Sequence, residues 1–371
     1  MIRVLSVLLI ALPAVAGCRL PDPVADAPAR LTPAQLLEGG HYLTAARLLE
    51  TALKQRPANA STNGQLEWML SKAKASLAHG DTDTLEQAME FAEKALAADP
   101  NNSAYHVQVA ATAARLAEKA SLFKKLAYVR RAKQELDEAA ADATQIDAQW
   151  GLMMYYFAAP PLVGGDRNKA RQIAEKLAAT VPDLGRYYAG RLALELNEPA
   201  KAEAYYKQSF GENPLLFDTA SALAMYYIRT KPDQSKAELW ACQAVHADPG
   251  RADAWALLAR VHTMCGCWTE AIRIAERAEK VDPENMSAYF AIAEAAIEHG
   301  EQYELAANLL RKYLGMPIEG DQPSEAMARM HLGTAFAHLG RTAEAAKELK
   351  AAVELDPTLD AAKAELKKLR Q

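Results

Sequence analysis

Prolines divide this chain into stretches long enough for two short helices and little else. Pro182, Pro214, Pro249, Pro283 and Pro357 fall into register in a window of about 34 residues, with Pro57 and Pro100 as earlier members. The stretch from Ala252 to Pro283 shows what one interval holds. Trp255, Leu258 and Val261 recur at helical spacing, and Gly266 ends that pattern where a left-handed C-cap is needed. Ala271, Ala275 and Ala278 then leave one face of a second helix nearly bare, which lets the two backbones approach, and Asp282-Pro283 stops it. A hairpin this small cannot bury its apolar face alone, so neighbouring copies must stack on it.

Trp255, Leu258, Ala271, Ala278 and Pro283 stand where the tetratricopeptide repeat (TPR) places its signature residues. Residues 326–357 carry Leu332, Gly333, Phe336, Gly340, Ala345, Leu349, Ala352 and Pro357 in the same positions. The chain therefore resembles the TPR family. That resemblance implies an all-α, right-handed superhelical solenoid of about nine TPR-like helix pairs over 33–371, with a C-terminal capping helix at 358–371. It also implies a concave groove, formed by the first helix of each pair, that receives a peptide or partner protein. Composition agrees, since 50% of residues are hydrophobic but only 7% aromatic, which calls for a core of Ala and Leu in closely packed helices. A net charge of −5 argues against a nucleic-acid partner, which needs a basic surface.

At the N-terminus one basic residue, Arg3, precedes an apolar run from Val4 to Leu12, giving residues 1–17 the form of a secretory signal peptide. The run is shorter than the about 20 apolar residues that span a bilayer. Val15-Ala16-Gly17-Cys18 resembles the lipobox of bacterial lipoproteins. That resemblance implies cleavage before Cys18 and lipid attachment on its sulfur, with enough acyl chains for stable anchoring. Arg19 follows, in place of the Asp that retains enterobacterial lipoproteins at the inner membrane, so an outer-membrane lipoprotein facing the periplasm is expected. Residues 18–32, rich in Pro and Ala, read as a tether.

Two units depart from the pattern. In the third, a longer second helix carries Lys119, Lys124, Lys125, Arg130, Arg131 and Lys133 among Leu122, Phe123, Leu126, Tyr128 and Val129. This basic extended segment, 119–133, suits an anionic lipid surface or an acidic partner, or else packs its apolar side on the solenoid with its charges in water. In the fourth, Pro160-Pro161 stops the first helix and a Pro/Gly loop, 160–166, leads into the second. Backbone amides at Gly164 and Gly165 before a helix could hold an anion, while Asp166 also fits a helix N-cap. Similar turns occur in periplasmic repeat lipoproteins that partner solute transporters.

Signatures of catalysis are missing: there is no GxSxG, HExxH, GxxxxGK[ST] or dinucleotide fingerprint. The eight histidines lack metal-ligand spacing. We therefore expect no enzyme, no cofactor and no metal. Cys265 and Cys267 lie too close in sequence for an unstrained disulfide, and Cys242 falls midway along another helix. All three read as reduced packing residues.

Placing the first helices in the family's register turns Tyr187 and Arg191 of the fifth unit, Tyr226 and Arg229 of the sixth, and Arg260 and Met264 of the seventh into the groove. This stripe of rings and guanidinium groups suits an acidic or C-terminal peptide segment. The same arginines could instead pair with groove carboxylates such as Glu195 and hold adjacent repeats in register. The expected function is a protein-protein interaction scaffold or adaptor in the bacterial cell envelope. The alternative is an accessory lipoprotein for solute transport or envelope or pilus assembly, holding a small ligand near 160–166.

Overall fold

The computed structural model describes residues 20–21, 31–55, 60–79, 81–142, 144–320 and 322–369. Among these residues there are nineteen α-helices and no strand. They fall into nine antiparallel pairs. The first four are α1 (Pro33–Glu38) with α2 (Tyr42–Gln55), α3 (Ala60–Leu77) with α4 (Thr82–Ala98), α5 (Ser103–Lys119) with α6 (Leu122–Ala140), and α7 (Ile146–Ala158) with α8 (Arg167–Thr180). The next three are α9 (Pro182–Glu195) with α10 (Pro199–Glu212), α11 (Phe217–Met225) with α12 (Gln234–Ala247), and α13 (Ala252–Thr263) with α14 (Trp268–Val281). The last two are α15 (Ser287–His299) with α16 (Tyr303–Tyr313) and α17 (Glu325–His338) with α18 (Thr342–Leu355), after which α19 (Asp360–Lys368) covers the end. Each second helix packs on its own first helix and on the next one, and α11, α13, α15 and α17 lie in a row. This is the all-α solenoid that the resemblance implied.

The small-residue logic of the repeat is visible in the seventh unit. Ala271, Ala275 and Ala278 are buried against α13, where Trp255 and Leu258 fill the gap above them. The Trp255 indole N–H is not left unpaired, because it donates to the Pro249 carbonyl at 3.0 Å. A core built this way runs unbroken from Ala193 to Ala345. The prolines play two parts. Pro214, Pro249, Pro283 and Pro357 lie in turns between units. Pro182 and Pro199 instead open α9 and α10 at the first helical turn, where a missing N–H costs nothing. Unit four's second helix thus ends at Thr180, just short of the proline expected to close it.

Both ends are capped. The shortened α1 starts in a capping box between Thr32 and Gln35. At the other end Ala362 of α19 is fully buried, and Leu369 packs against the core. Leu20, in the segment read as a tether, also packs partly buried against the C-terminal core.

The solenoid also meets itself. The connection between α16 and α17 does not hang free; it docks on units one and two. The Leu43 N–H donates to Glu319 Oε2 at 2.8 Å, and the His79 ring lies with Nε2 3.0 Å from the Ile318 carbonyl oxygen. His41 sits 4.0 Å from Asp282 and 3.8 Å from Glu284 in the turn after α14. Gly320, at φ +61, lies so close under the Tyr42 ring that a Cβ there would come within 2.4 Å of it. Both the backbone conformation and the space demand glycine.

Candidate functional site

The groove-lining stripe divides into two parts of different character. The first is built by α7, α9 and the aromatic residues they present. Trp150 and Tyr188 stack with ring centroids 4.7 Å apart and planes 18° from parallel. The Arg191 guanidinium lies over the aromatic surface of Trp150 at 4.7 Å, and Tyr187 lies beside it. Burial pushes the Tyr187 and Tyr188 hydroxyls above their ordinary range; Arg191 opposes this in both, while Asp147 adds to it at Tyr188. Arg191 is exposed and has no carboxylate partner among the described residues, so it does not form the pairing with Glu195. A cation held over an indole keeps its outward N–H donors available for an incoming acceptor. Trp150 and Tyr188 were absent from the sequence-derived stripe, although the doublets Tyr155-Tyr156 and Tyr187-Tyr188 on successive first helices signal an aromatic seam.

The second part is a concavity of about 450 Å³ between the C-terminal turns of α11, α13 and α15, lined in part by Arg229, Arg260, Met264, Glu298 and His299. Three predicted residues meet here, but in different roles. Arg260 is only 9% exposed and clamps two carboxylates of the neighbouring first helix, Glu294 and, at 2.8 Å, Glu298. It ties unit seven to unit eight, which is the repeat-registering role. Glu294 and Glu298, one helical turn apart, were the sequence signal for this clamp. Arg229 is exposed, with no carboxylate partner among the described residues. Met264 is half-buried at the rim.

Tyr226 does not reach the groove. It is 4% exposed and its ring packs edge-on to Tyr227 at 5.2 Å, near Glu203 of α10. It is the first residue of a π-helical turn, Tyr226–Thr230, closed by the Lys231 N–H donating to the Tyr226 carbonyl at 2.9 Å. A π turn holds one residue more than an α turn and shifts the residues that follow it, while Tyr226 itself keeps the register of α11, its N–H donating to the Ala222 carbonyl. Tyr227 donates to Glu203 at 2.5 Å. Burial works against the Glu203 charge, but hydrogen bonds from Lys207 and Tyr227 outweigh it and hold the carboxyl at about 2.

The loop 160–166 is ordered by its own hydrogen bonds. The Gly164 N–H donates to the Pro161 carbonyl at 3.0 Å, the Gly165 N–H to Pro160 at 3.1 Å, and the Asp166 N–H to Tyr156 at 2.8 Å. An anion cradle at Gly164 and Gly165 needs these amides free, and they are spent inside the loop. Asp166 takes the N-cap role, accepting from the Asn168 and Lys169 N–H groups at the start of α8. The Tyr155 hydroxyl donates to the Val163 carbonyl.

The cysteines depart from expectation. Cys265 and Cys267 form a disulfide, because Gly266 at φ +67 turns the chain tightly enough to bring their Cα atoms to 5.3 Å, within the usual span. Cys242, buried on α12, is not free either. Cys18, the expected lipid-attachment residue, lies outside the described residues. Among the described residues no group of three or more His, Cys, Asp or Glu side chains could hold a metal ion.

Comparison with known proteins bears on this architecture. A family model described as tetratricopeptide repeat matches residues 266–320 and 300–360, and a second one matches residues 72–102. No curated protein matches the chain. Among solved structures, yeast Tom70 is similar over 91% of this chain and 86% of its own, at 13% identity and a TM-score of 0.50. A thermophilic TPR protein of Thermus thermophilus is similar over 50% of this chain and 98% of its own, at 16% identity and a TM-score of 0.42. YrrB, a TPR protein with an unusual peptide-binding site, is similar over 52% of this chain and 99% of its own, at 17% identity and a TM-score of 0.34. Repeat models at residues 72–102 and 266–360, on helix pairs stacked without a break between them, identify a chain that carries tetratricopeptide repeats.

Proposed function

We propose that this chain is a non-catalytic interaction scaffold of the bacterial cell envelope that binds an acidic or C-terminal peptide segment along its first helices. Proteins of its family commonly act as protein-interaction scaffolds. The observation that carries the ligand class is a pair of groove cations that no carboxylate of the described chain neutralises, Arg191 over Trp150 and Arg229 at the rim of the α11–α13–α15 concavity. In a chain of net charge −5, leaving two such guanidinium groups unpaired favours an acidic ligand over a basic one. Trp150, Tyr187 and Tyr188 add contact area at small entropic cost.

The envelope setting rests on the signal-like residues 1–17 and the lipobox-like sequence ending at Cys18. The Cys265–Cys267 disulfide is consistent with an oxidising compartment. Membrane attachment would pass through the lipid on Cys18, facing the periplasm from the outer membrane. The test of the groove is capture of partners from envelope extract by the parent chain and by Arg191→Ala/Arg229→Ala. Loss of a partner from a variant with unchanged melting supports the reading, and retention of every partner refutes it.

A further inference from the structure

Among the described residues six large apolar side chains are exposed, and three of them, Leu122, Phe123 and Leu162, lie at two turns that follow the first helices of adjacent units. Leu122 and Phe123, 69% and 86% exposed, begin α6 at the turn from α5. Leu162, 96% exposed, lies in the turn from α7 to α8. Helices α5 and α7 pack side by side as first helices of adjacent units, so their C-terminal ends, and the two turns that follow, share one edge of the solenoid.

This exposure is held in place. The loop around Leu162 is braced by the Tyr155 hydroxyl on the Val163 carbonyl, by the Asp166 N–H on Tyr156, and by the Asp166 cap on α8. A Cβ on Gly165 would come within 1.7 Å of the Ala159 carbonyl oxygen, so the tight path of the loop depends on that glycine. Leu162 therefore cannot fold back without breaking these bonds. Phe123 is fixed in the first turn of a 19-residue helix.

The surroundings are basic. From Lys119 to Gln134 the chain has no acidic residue, and Lys124, Lys125 and Arg130 are exposed without an ion pair among the described residues. Arg167 and Lys169 flank the second turn, leaning over Phe157 and Tyr156 at 5.5 and 5.3 Å. Separate, convex apolar tips make a poor match for a protein pocket, which needs a continuous complementary surface. A fluid interface takes such tips independently, while lysine and arginine stems reach up to acidic headgroups. No described helix is long and apolar enough to cross a membrane, so the contact is with its surface.

We propose that the edge formed by Leu122, Phe123 and Leu162, with Lys124, Lys125 and Arg130, docks on an anionic lipid surface. The contact is separate from the peptide groove and from any lipid on Cys18. The test is co-sedimentation of the full chain with vesicles of phosphatidylcholine, alone or mixed with phosphatidylglycerol. The parent is compared with Leu122→Ser/Phe123→Ser/Leu162→Ser and with Lys124→Gln/Lys125→Gln/Arg130→Gln. All six positions are exposed and spare the core; binding to phosphatidylcholine alone gives the baseline from residues 1–17, and the variants are compared by the excess binding to phosphatidylglycerol vesicles over it. Each variant should bind phosphatidylglycerol vesicles more weakly than the parent, on the order of tenfold to a hundredfold, with unchanged melting. Arg191→Ala should bind them as the parent does. Equal binding of parent and both variants overturns the proposal, and so does binding of poly-glutamate in place of vesicles, which would assign the edge to an acidic protein.

Discussion

The Leu43 amide and the Glu319 carboxylate, 276 residues apart in sequence, are joined by a hydrogen bond of 2.8 Å. Leu43 is the second residue of α2, whose first N–H groups have no partner within the helix. A side chain from the far end of the chain thus supplies the N-terminal cap. Glu319→Ala should remove it at a cost of about 0.5–2 kcal/mol and free residues 315–323 for protease. Urea unfolding and limited digestion with proteinase K, which needs no Lys or Arg in the segment, check this on the two chains, and equal rates of cleavage within 315–323 would contradict it.

The same carboxyl carries a pH signature. Burial raises its pKa above the ordinary value, with Glu284 adding, while the Leu43 N–H and His41 oppose the rise. The folded state therefore holds this proton more tightly than the unfolded state. That contribution is fully present at low pH and is lost as pH climbs from the unfolded value through the raised folded one. Glu319→Gln keeps an acceptor for Leu43 without the titration. Its melting temperature should rise relative to the parent's as pH increases through this window, a trend that parallel melts across the range will detect.

Arg260 and Arg191 should separate stability from binding. Arg260→Ala abandons Glu294 and Glu298 and should cost about 1.5–3 kcal/mol in denaturant unfolding. Arg191→Ala loses exposed contacts with Trp150 and Tyr187, the first worth about 0.5–1 kcal/mol, and should act mainly on partner capture. The opposite ranking in unfolding experiments would reverse these roles.

Trp255 is the strongest test of the repeat core. It is fully buried and hydrogen-bonded to Pro249, so Trp255→Ala should cost about 3–5 kcal/mol. A loss below about 1 kcal/mol, on the order of a surface change, would mean that units six to eight do not share a core.

How much could be read beforehand follows the range of the interactions. Trp255, Ala271 and Ala278 are set by spacing within one hairpin, and each lies where that spacing puts it. The Asp166 cap and the shortened α1 are equally local. Tyr226 and Tyr227 are both buried, and spacing alone does not say which ring of such a doublet faces the core. Arg260 lines the α11–α13–α15 concavity, but its clamp depends on carboxylates 34 and 38 residues downstream. The contact of Glu319 with Leu43 lay furthest out of reach. It depends on how tightly successive hairpins coil, a sum of small rotations that no single unit encodes.

The connection between α16 and α17 also alters how the stack should melt. An open array of hairpins behaves as a one-dimensional chain in which terminal units fray first and lose only a single neighbour. Here units one and two hold a second neighbour, the segment after α16, through Tyr42, Leu43 and His79, while His41 faces the turn after α14. Neither the amino-terminal hairpins nor the residues before α17 can peel away alone. Amide exchange at the two places should therefore rise together, as in a ring opened at its clasp and unlike a rod wearing away from its tips.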